Sequence, residues 1–584
     1  MFANFTARHF RVILILGLVL LSLSTVVNAQ DDVPRERTLI FENISERVTS
    51  PENYNPFLPS TLLHAGLQQV GLESLFYYNY ETGEMMPWLA ESYEYNEDFT
   101  VATIRLRDGV TWSDGEAFTA DDVVFTLNML KENAPALGGW SVDAQTWVAD
   151  VQAVDSLTVS ITLTGTNPRY VFNAFGVRIY GVTFILPKHI WEGQDPVTFS
   201  NFDLEKGWPI STSPYQLVAS TTTETVWDRR DNWWGAATGF HELPAPERII
   251  FQTAGSEERR AAMATNNELD TLWLMGRSTF ETVMAQNSDV SSWYAEPPYA
   301  YLDPCPRHLT VNAMVPPFDN PDVRWAISYA IDRDVVVDIG WEGLTAVGQW
   351  IMPDYGPLKP YIENAADLFA QYPTLEYNLD KVNDLMTGAG FTKGGDDLWV
   401  DAGGQRVTMD IVIRQGEADQ VKMAPVVAEL LRRAGFDATF TLQDIAAFSD
   451  TLNNGRAGAW LDVACGAVAD PYVTLDNYHS RHARPIGEIA TGMRSRWSNA
   501  AYDEIVDQMA VTSSDDPAML DLFNDALAIW LPELPTITLT QASLLSSFNS
   551  HYWTNWPDEN NNYVHPGHWW ATALILVMNV EPTQ

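Results

Sequence analysis

The sequence predicts a mixed α/β protein of at least two lobes, and three observations predict it. The chain has 584 residues, whereas a single hydrophobic core stops growing near roughly 250–300 residues. Segments with the two-residue period of strands alternate along the whole chain with segments of helical spacing. No low-complexity linker, charged tail or fixed-period repeat interrupts them, so the lobes must adjoin one another directly.

The elements are legible in order. Thr103-Ile-Arg-Leu-Arg107, Leu157-Thr-Val-Ser-Ile-Thr-Leu163 and Thr408-Met-Asp-Ile-Val-Ile413 alternate apolar and polar residues, as half-buried strands do. Asp108-Gly109 and Asp114-Gly115 mark tight turns. Thr119, followed by Asp121, Asp122 and the apolar Val123, Val124, Phe125 and Leu127, starts a capped helix whose acidic first turn suits the helix dipole. Asp322 before Val323, Ala326, Ile327, Ala330 and Ile331 caps another. Gly403-Gly404 joins Leu398-Trp-Val to the strand from Val407 as a hairpin.

The amino terminus sets the compartment. Arg8, His9 and Arg11 precede an apolar run from Val12 to Leu23, and Val27-Asn28-Ala29 offers a cleavage site. About 12 apolar residues reach roughly 18 Å, too short for a hydrocarbon core of about 30 Å. Residues 1–29 therefore read as a signal peptide, and the mature protein as exported, periplasmic or extracellular. No cysteine precedes Cys305, so an amino-terminal lipoprotein anchor is not expected.

With 34 basic and 76 acidic residues the net charge is −42, which argues against nucleic acid and anionic lipid as partners. Cys305 and Cys465 are the two cysteines. An exported protein can pair them, but their spacing does not say whether they pair.

No catalytic or metal motif emerges. Cys-x-x-Cys, His-Glu-x-x-His, Gly-x-Ser-x-Gly and a phosphate loop are all missing from the sequence. His479/His482 and His565/His568 stand three apart without a nearby cysteine or regular acidic partner, and read as loop or surface histidines. Asp558, Asn560 and Asn562 imitate a calcium loop, but Tyr563 and Trp569 stand where glycine and glutamate are needed. No cofactor is expected.

Pro87-Trp-Leu-Ala-Glu-Ser-Tyr-Glu-Tyr-Asn96, followed by the stretch from Thr103 through Asp114-Gly115 to Phe125, resembles the extracytoplasmic solute-binding proteins of family 5. These bind oligopeptides, dipeptides, nickel or oligosaccharides for ABC importers. The resemblance continues through Ser213-Pro-Tyr, Arg229-Arg-Asp-Asn-Trp-Trp-Gly235, Asn266-Asn-Glu-Leu-Asp270, and Pro317-Phe-Asp-Asn-Pro-Asp-Val-Arg-Trp-Ala-Ile-Ser-Tyr-Ala-Ile-Asp-Arg333. It implies a two-lobed periplasmic-binding-protein-like α/β fold with an extra subdomain inserted in the first lobe. Lobe one would take residues 30–305 and 538–584, with the insert near 73–205, and lobe two residues 306–537. The chain would cross between lobes near Leu309 and near Thr536-Ile-Thr-Leu-Thr540. Hinge closure over a small-molecule ligand would present the protein, as a monomer, to a membrane permease.

Peptide-binding members that it resembles anchor an ammonium with an aspartate in a Trp-x-x-Asp-x-x-(Asp/Glu)-Pro segment. The matching segment is Ala464-Cys-Gly-Ala-Val-Ala-Asp-Pro471, in which Ala467 replaces the anchor, with Asp462 or Asp470 left to compensate. The segment from Tyr552 to Trp570 resembles the ends of oligosaccharide-binding members, and 22 tryptophans suit the stacking of sugar rings. The residues expected to contact ligand are Trp553, Asn555, Trp556, Trp460, Trp273, Trp350 and Asn55, with Asp470 the carboxylate on which a peptide ligand would depend. An oligopeptide-binding protein of the same family and a secreted hydrolase stand as alternatives.

Overall fold

The computed structural model describes residues 33–45, 47–58, 64–177, 182–463, 465 and 467–583. The expected signal peptide, residues 1–29, lies outside them. Among the described residues the first lobe is built on a seven-stranded sheet. Its spatial order is Val290–Ser292, Ser547–Asn549, Thr271–Leu272, Thr38–Asn43, Arg248–Thr253, Glu224–Arg229 and Tyr215–Ser220. Thr38–Asn43 is the pivot, parallel to both of its neighbours. Leu39 and Phe41 on it, and Ile249 and Phe251 beside it, are fully buried, as strands covered on both faces must be.

The second lobe is built on a five-stranded sheet in the order Asp437–Gln443, Thr408–Arg414, Ala459–Val463, Tyr301–Val311 and Thr536–Leu544. Helix Ala418–Arg433 lays Met423, Ala424, Val427, Ala428 and Leu431 against it. Burying side chains of that size contributes about 1.5–3 kcal/mol each for Val, Leu and Met. Inside the first lobe, Ala90–Tyr95, Val101–Leu106, Thr158–Leu163 and Val148–Asp155 form a separate four-stranded antiparallel sheet. The alternation read from the sequence puts Ala102, Ile104 and Leu106, and Val159, Ile161 and Leu163, on its buried face. Helix Ala120–Glu132 covers that face, and Asp122 reaches back to accept the Thr119 N–H at 2.9 Å.

Of three local expectations, one is met and two are corrected. Helix Pro321–Tyr329 is capped by Asn320, which accepts the Asp322 N–H; Pro321 takes the first helical position, where its missing N–H costs nothing. Around Gly403-Gly404 the expected hairpin forms: Val400 bridges Arg406, the Asp401 N–H donates to the Gln405 carbonyl and the Val407 N–H to the Trp399 carbonyl, each at 2.9 Å, before Thr408–Arg414 joins its parallel neighbours. Leu309 and Thr536, expected at the lobe crossings, are instead paired deep in the second sheet. The chain changes sheets between Ser292 and Tyr301 and again between Leu544 and Ser547, because the two crossing strands run on as one long antiparallel ribbon.

The register of that ribbon shifts twice, at Asp303/Arg307 and again at Arg307/His308, where Leu539 is skipped. Asp303 faces Ala542 and Arg307 faces Thr540, so Pro304, Cys305 and Pro306 bulge out opposite Gln541 alone. Cys305 is joined by a disulfide to Cys465, just beyond Ala459–Val463. No helix among the described residues is long and apolar enough to cross a membrane.

Candidate ligand cleft between the lobes

In an open α/β sheet the place for a ligand is outside the carboxyl ends of the strands, where the strand order reverses. Here that point is the end of Thr38–Asn43, between Arg248–Thr253 and Thr271–Leu272. Glu42 at this end accepts the Trp273 N–H at 2.7 Å, and Arg260 ties Glu42 (3.1 Å) to the carbonyls of Trp273 and Leu274. Burial raises the Glu42 pKa against the pull of Arg260. Trp273, half-buried, is thus fixed at the switch point.

From Trp273 an aromatic band runs across the lobe junction. Its ring meets Trp569 edge-on, with centroids 3.9 Å apart, and Trp569 adjoins Trp570. Trp570 stacks on His565 at 3.6 Å, His565 meets Tyr301 at 4.4 Å, and Tyr80 bridges His565 to Tyr355 of the second lobe. The core of the second lobe is consequently continuous with residues of the first, including Tyr78, Tyr80, Trp293, Trp569 and Trp570. Gly567 N–H donates to His565 Nδ1 at 2.9 Å, which puts the ring proton on Nε2. That buried Nε2–H finds no acceptor among the described residues. Burial lowers the His565 pKa well below its ordinary value, so the imidazole is a neutral donor.

A cavity of about 120 Å³ remains between the lobes, lined by Glu257, Leu274 and Met275 from one side and Trp341, Glu342, Asp419 and Lys422 from the other, and by none of the rings of the band. The buried carboxylates around the junction carry arginines. Asp470, 7% exposed, is paired at 2.8 Å with Arg169, 5% exposed, from the inserted subdomain. Arg169 also donates to the carbonyls of Met509 (3.0 Å) and Ala510 (3.3 Å), and lies 4.7 Å over the Tyr472 ring. Arg307 engages Asp303 and Asp419, and Arg494 engages Asp462 at 3.0 Å. Burial nevertheless lifts Asp303 to about 6 and raises Asp462. Among the described residues no group of three or more His, Cys, Asp or Glu is placed to hold a metal ion.

Of the residues expected to contact ligand, Trp273 alone lies in this band. Trp553 is 1% exposed and donates its indole N–H to the Thr38 carbonyl. Trp556 stacks on Phe548 and donates to the Trp553 carbonyl. Both are packing residues of the first lobe. Trp350 packs against Phe523 and Trp530, and Trp460 against Val412, Phe448 and Leu452, inside the second lobe. Asn55 is buried, its amide donating to the Pro196 and Phe199 carbonyls. Asn555 takes a left-handed conformation (φ 61°) and donates to the Asn579 carbonyl, a turn role. Asp470 is already neutralised by Arg169. His565 and His568 are buried, not surface residues. The band residues that sequence reasoning missed, Tyr80, Tyr301, Tyr355 and His565, meet only through tertiary contact; the adjacent Trp569 and Trp570 were the one local signal.

The fold and this cleft define a two-lobed solute-binding protein, and comparison with known proteins places it further. The profile of the bacterial extracellular solute-binding proteins, family 5 (Middle), matches residues 84–484. The chain belongs to that family. It is 26% identical over 309 residues to the glutathione-binding protein GsiB of Pectobacterium atrosepticum, covering 52% of this chain and 53% of that one. It thus spans about half the length of that relative. It is 25% identical over 403 residues to the nickel-binding periplasmic protein of Escherichia coli, covering 68% and 70%. Its fold is similar to a periplasmic oligopeptide-binding protein of an ABC transporter from Thermotoga maritima (TM-score 0.82, 24% identity, 94% of this chain and 100% of that one). The mannohexaose-bound form of that protein is also similar (TM-score 0.75, 24% identity, 94% and 99%).

Proposed function

We propose that the protein is the substrate-binding component of an ABC importer and that it encloses an uncharged oligosaccharide between its lobes, without chemical turnover. The observation that carries this reading is the charge-compensated, aromatic character of the junction. A peptide ammonium removed from water needs a carboxylate of its own. Asp470, the acid placed to supply one, is held by Arg169, and Ala467 stands at the anchor position. What the junction has instead is the buried aromatic band with the neutral His565 among its rings, beside a small cavity where Trp341 lies next to Glu342 and Asp419, each paired with a cation; rings and compensated charge suit the C–H faces and hydroxyls of a sugar. The mannohexaose complex of the Thermotoga protein lends this support from a similar fold. Export, monomeric action and delivery to a membrane permease complete the proposal.

The test is a parallel titration with mannohexaose, β-linked gluco-oligosaccharides, a tripeptide pool, glutathione and nickel, read by melting temperature and tryptophan emission. An oligosaccharide is expected to raise the melting temperature and shift the emission. A rise with the peptides or glutathione and none with any sugar would refute the reading.

A further inference from the structure

Helix Arg277–Gln286 of the first lobe begins without a cap of its own. Its N-cap, Gly276, has no side chain, and its first turn, Arg277-Ser278-Thr279, carries no acid. The start of a helix presents backbone N–H groups that intrahelical bonds cannot use, together with a partial positive charge. Two carboxylates come to this one from outside. Glu257, on helix Glu257–Thr265 of the same lobe, accepts the Gly276 N–H at 3.1 Å. Glu342 accepts the Arg277 N–H, also at 3.1 Å. Glu342 belongs to the second lobe, for it follows Val336–Gly340, which packs on helix Ala418–Arg433 and strand Thr536–Leu544.

The second lobe holds Glu342 in place for this contact. Its backbone is left-handed (φ 56°), a conformation that favours glycine and that another residue keeps only where its surroundings fix it. Its carboxylate is shared: Oε2 accepts the Arg277 N–H, and Oε1 accepts Lys422 Nζ at 2.6 Å. In return the Arg277 guanidinium donates to the Glu342 carbonyl at 3.4 Å. A Cβ on the next residue, Gly343, would stand 3.1 Å from that guanidinium, so glycine is what lets the loop come so near. We propose that Glu342 is a latch on lobe closure, capping a helix of the opposite lobe so that the helix is fully capped only when the lobes are together. This rests on the reading that the lobes part and close around a ligand.

The size of the effect follows from exposure. The Glu342 and Lys422 side chains are 37% and 50% exposed, so the contact has the strength of a helix cap and not of a buried ion pair. A cap of that strength shifts the closed-to-open ratio by about twofold to thirtyfold. Neither lobe loses a contact of its own when the latch opens, so the effect falls on closure and leaves the fold of each lobe as it was.

A single N–H carries the latch, and proline can remove it. Proline suits the first position of a helix, and Gly276 already has the extended backbone (φ −62°, ψ 148°) that a following proline requires. Arg277→Pro therefore deletes the N–H and keeps the helix, while Arg277→Ala deletes the guanidinium alone and is its control. The full chain, free of ligand, is followed by small-angle scattering resolved into closed and open arrangements. Glu342→Ala is expected to lower the closed-to-open ratio of Arg277→Ala by about twofold to thirtyfold and to leave that of Arg277→Pro unchanged. In urea, Arg277→Pro should be at least as stable as Arg277→Ala. The proposal is overturned if Glu342→Ala opens both backgrounds alike or neither, or if Arg277→Pro unfolds more readily than its control. No sugar enters these measurements, so a chain that binds no oligosaccharide leaves the latch standing, and an unchanged lobe arrangement removes it whatever the ligand is.

Discussion

Replacing Arg169 with methionine is the sharpest perturbation of the lobe junction. The substitution keeps most of the side-chain volume and removes the guanidinium that pairs with Asp470 at 2.8 Å and holds the Met509 and Ala510 carbonyls. Asp470, only 7% exposed, is left without its cation. Stranding one member of a buried ion pair costs about 3–5 kcal/mol. Because the partners belong to different lobes, separation of the lobes hydrates Asp470 and relieves that cost. The penalty therefore falls on closure and not on the folding of either lobe. About 3 kcal/mol corresponds to roughly 150-fold in the closed-to-open ratio, and to the same factor in affinity for a ligand that requires closure. Small-angle scattering should show a larger radius of gyration for Arg169→Met, with affinity for mannohexaose reduced accordingly. Arg169→Met/Asp470→Leu, which removes both charges, should recover most of the loss. The reasoning is refuted if Arg169→Met lowers the urea unfolding free energy by the full amount while leaving the scattering profile and the affinity of the wild type.

Three further outcomes follow from the same coordinates. A Cβ at Gly356 would sit 2.3 Å from the Glu81 carbonyl across the junction, so Gly356→Ala should hold the lobes apart, read as weaker ligand binding with little change in unfolding free energy. Burial raises Glu73 from 4.5 to about 7 against the hydrogen bonds of the Trp234 and Trp88 indoles; the native state then holds this proton longer than the unfolded chain, and wild-type stability falls as pH rises from about 4.5 through about 7. Glu73→Gln should lack that fall, worth about 3 kcal/mol when urea curves at pH about 5 and about 8 are compared between the two proteins. Opening the Cys305–Cys465 bridge with Cys305→Ser/Cys465→Ser should cost about 2–4 kcal/mol in thermal or urea unfolding, and intact-mass analysis of the wild type should find no free thiol.

Much of the architecture was legible because it rests on local periodicity. The alternation in Val101–Leu106 and Thr158–Leu163, the capped helix Ala120–Glu132 and the strand Thr408–Arg414 are written in consecutive residues. The cleft is not written that way. Trp273, Tyr301, Tyr355 and the segment that carries His565 and Trp569 lie far apart in the chain and meet only once two sheets are placed side by side. Composition could say that tryptophans are plentiful but not which face a lobe interior. Trp553 and Trp460 looked suited to a sugar because indoles suit both stacking and packing, and burial against Thr38 or Phe448 is what separates the two uses. Asp470 is legible as an acid, yet its partner lies 301 residues away, so its neutralisation has no local signature. His565 and His568 lie inside for a related reason: they flank Pro566-Gly567, and contact with Trp570 and Trp569 draws them in with the indoles.

The interruption in the crossing ribbon bears on how cheaply the molecule moves. Pro304 and Pro306 have no N–H to give to a ladder, and opposite them the Gln541 N–H is taken by Ala346 and its carbonyl by Thr345. Flexing the ribbon at that spot therefore breaks no cross-strand bond. A bend that gives up no ladder bond leaves more of the balance between two positions to whatever grips the rims, so that a small guest, or a single guanidinium, weighs on the arrangement of a 65.4 kDa body.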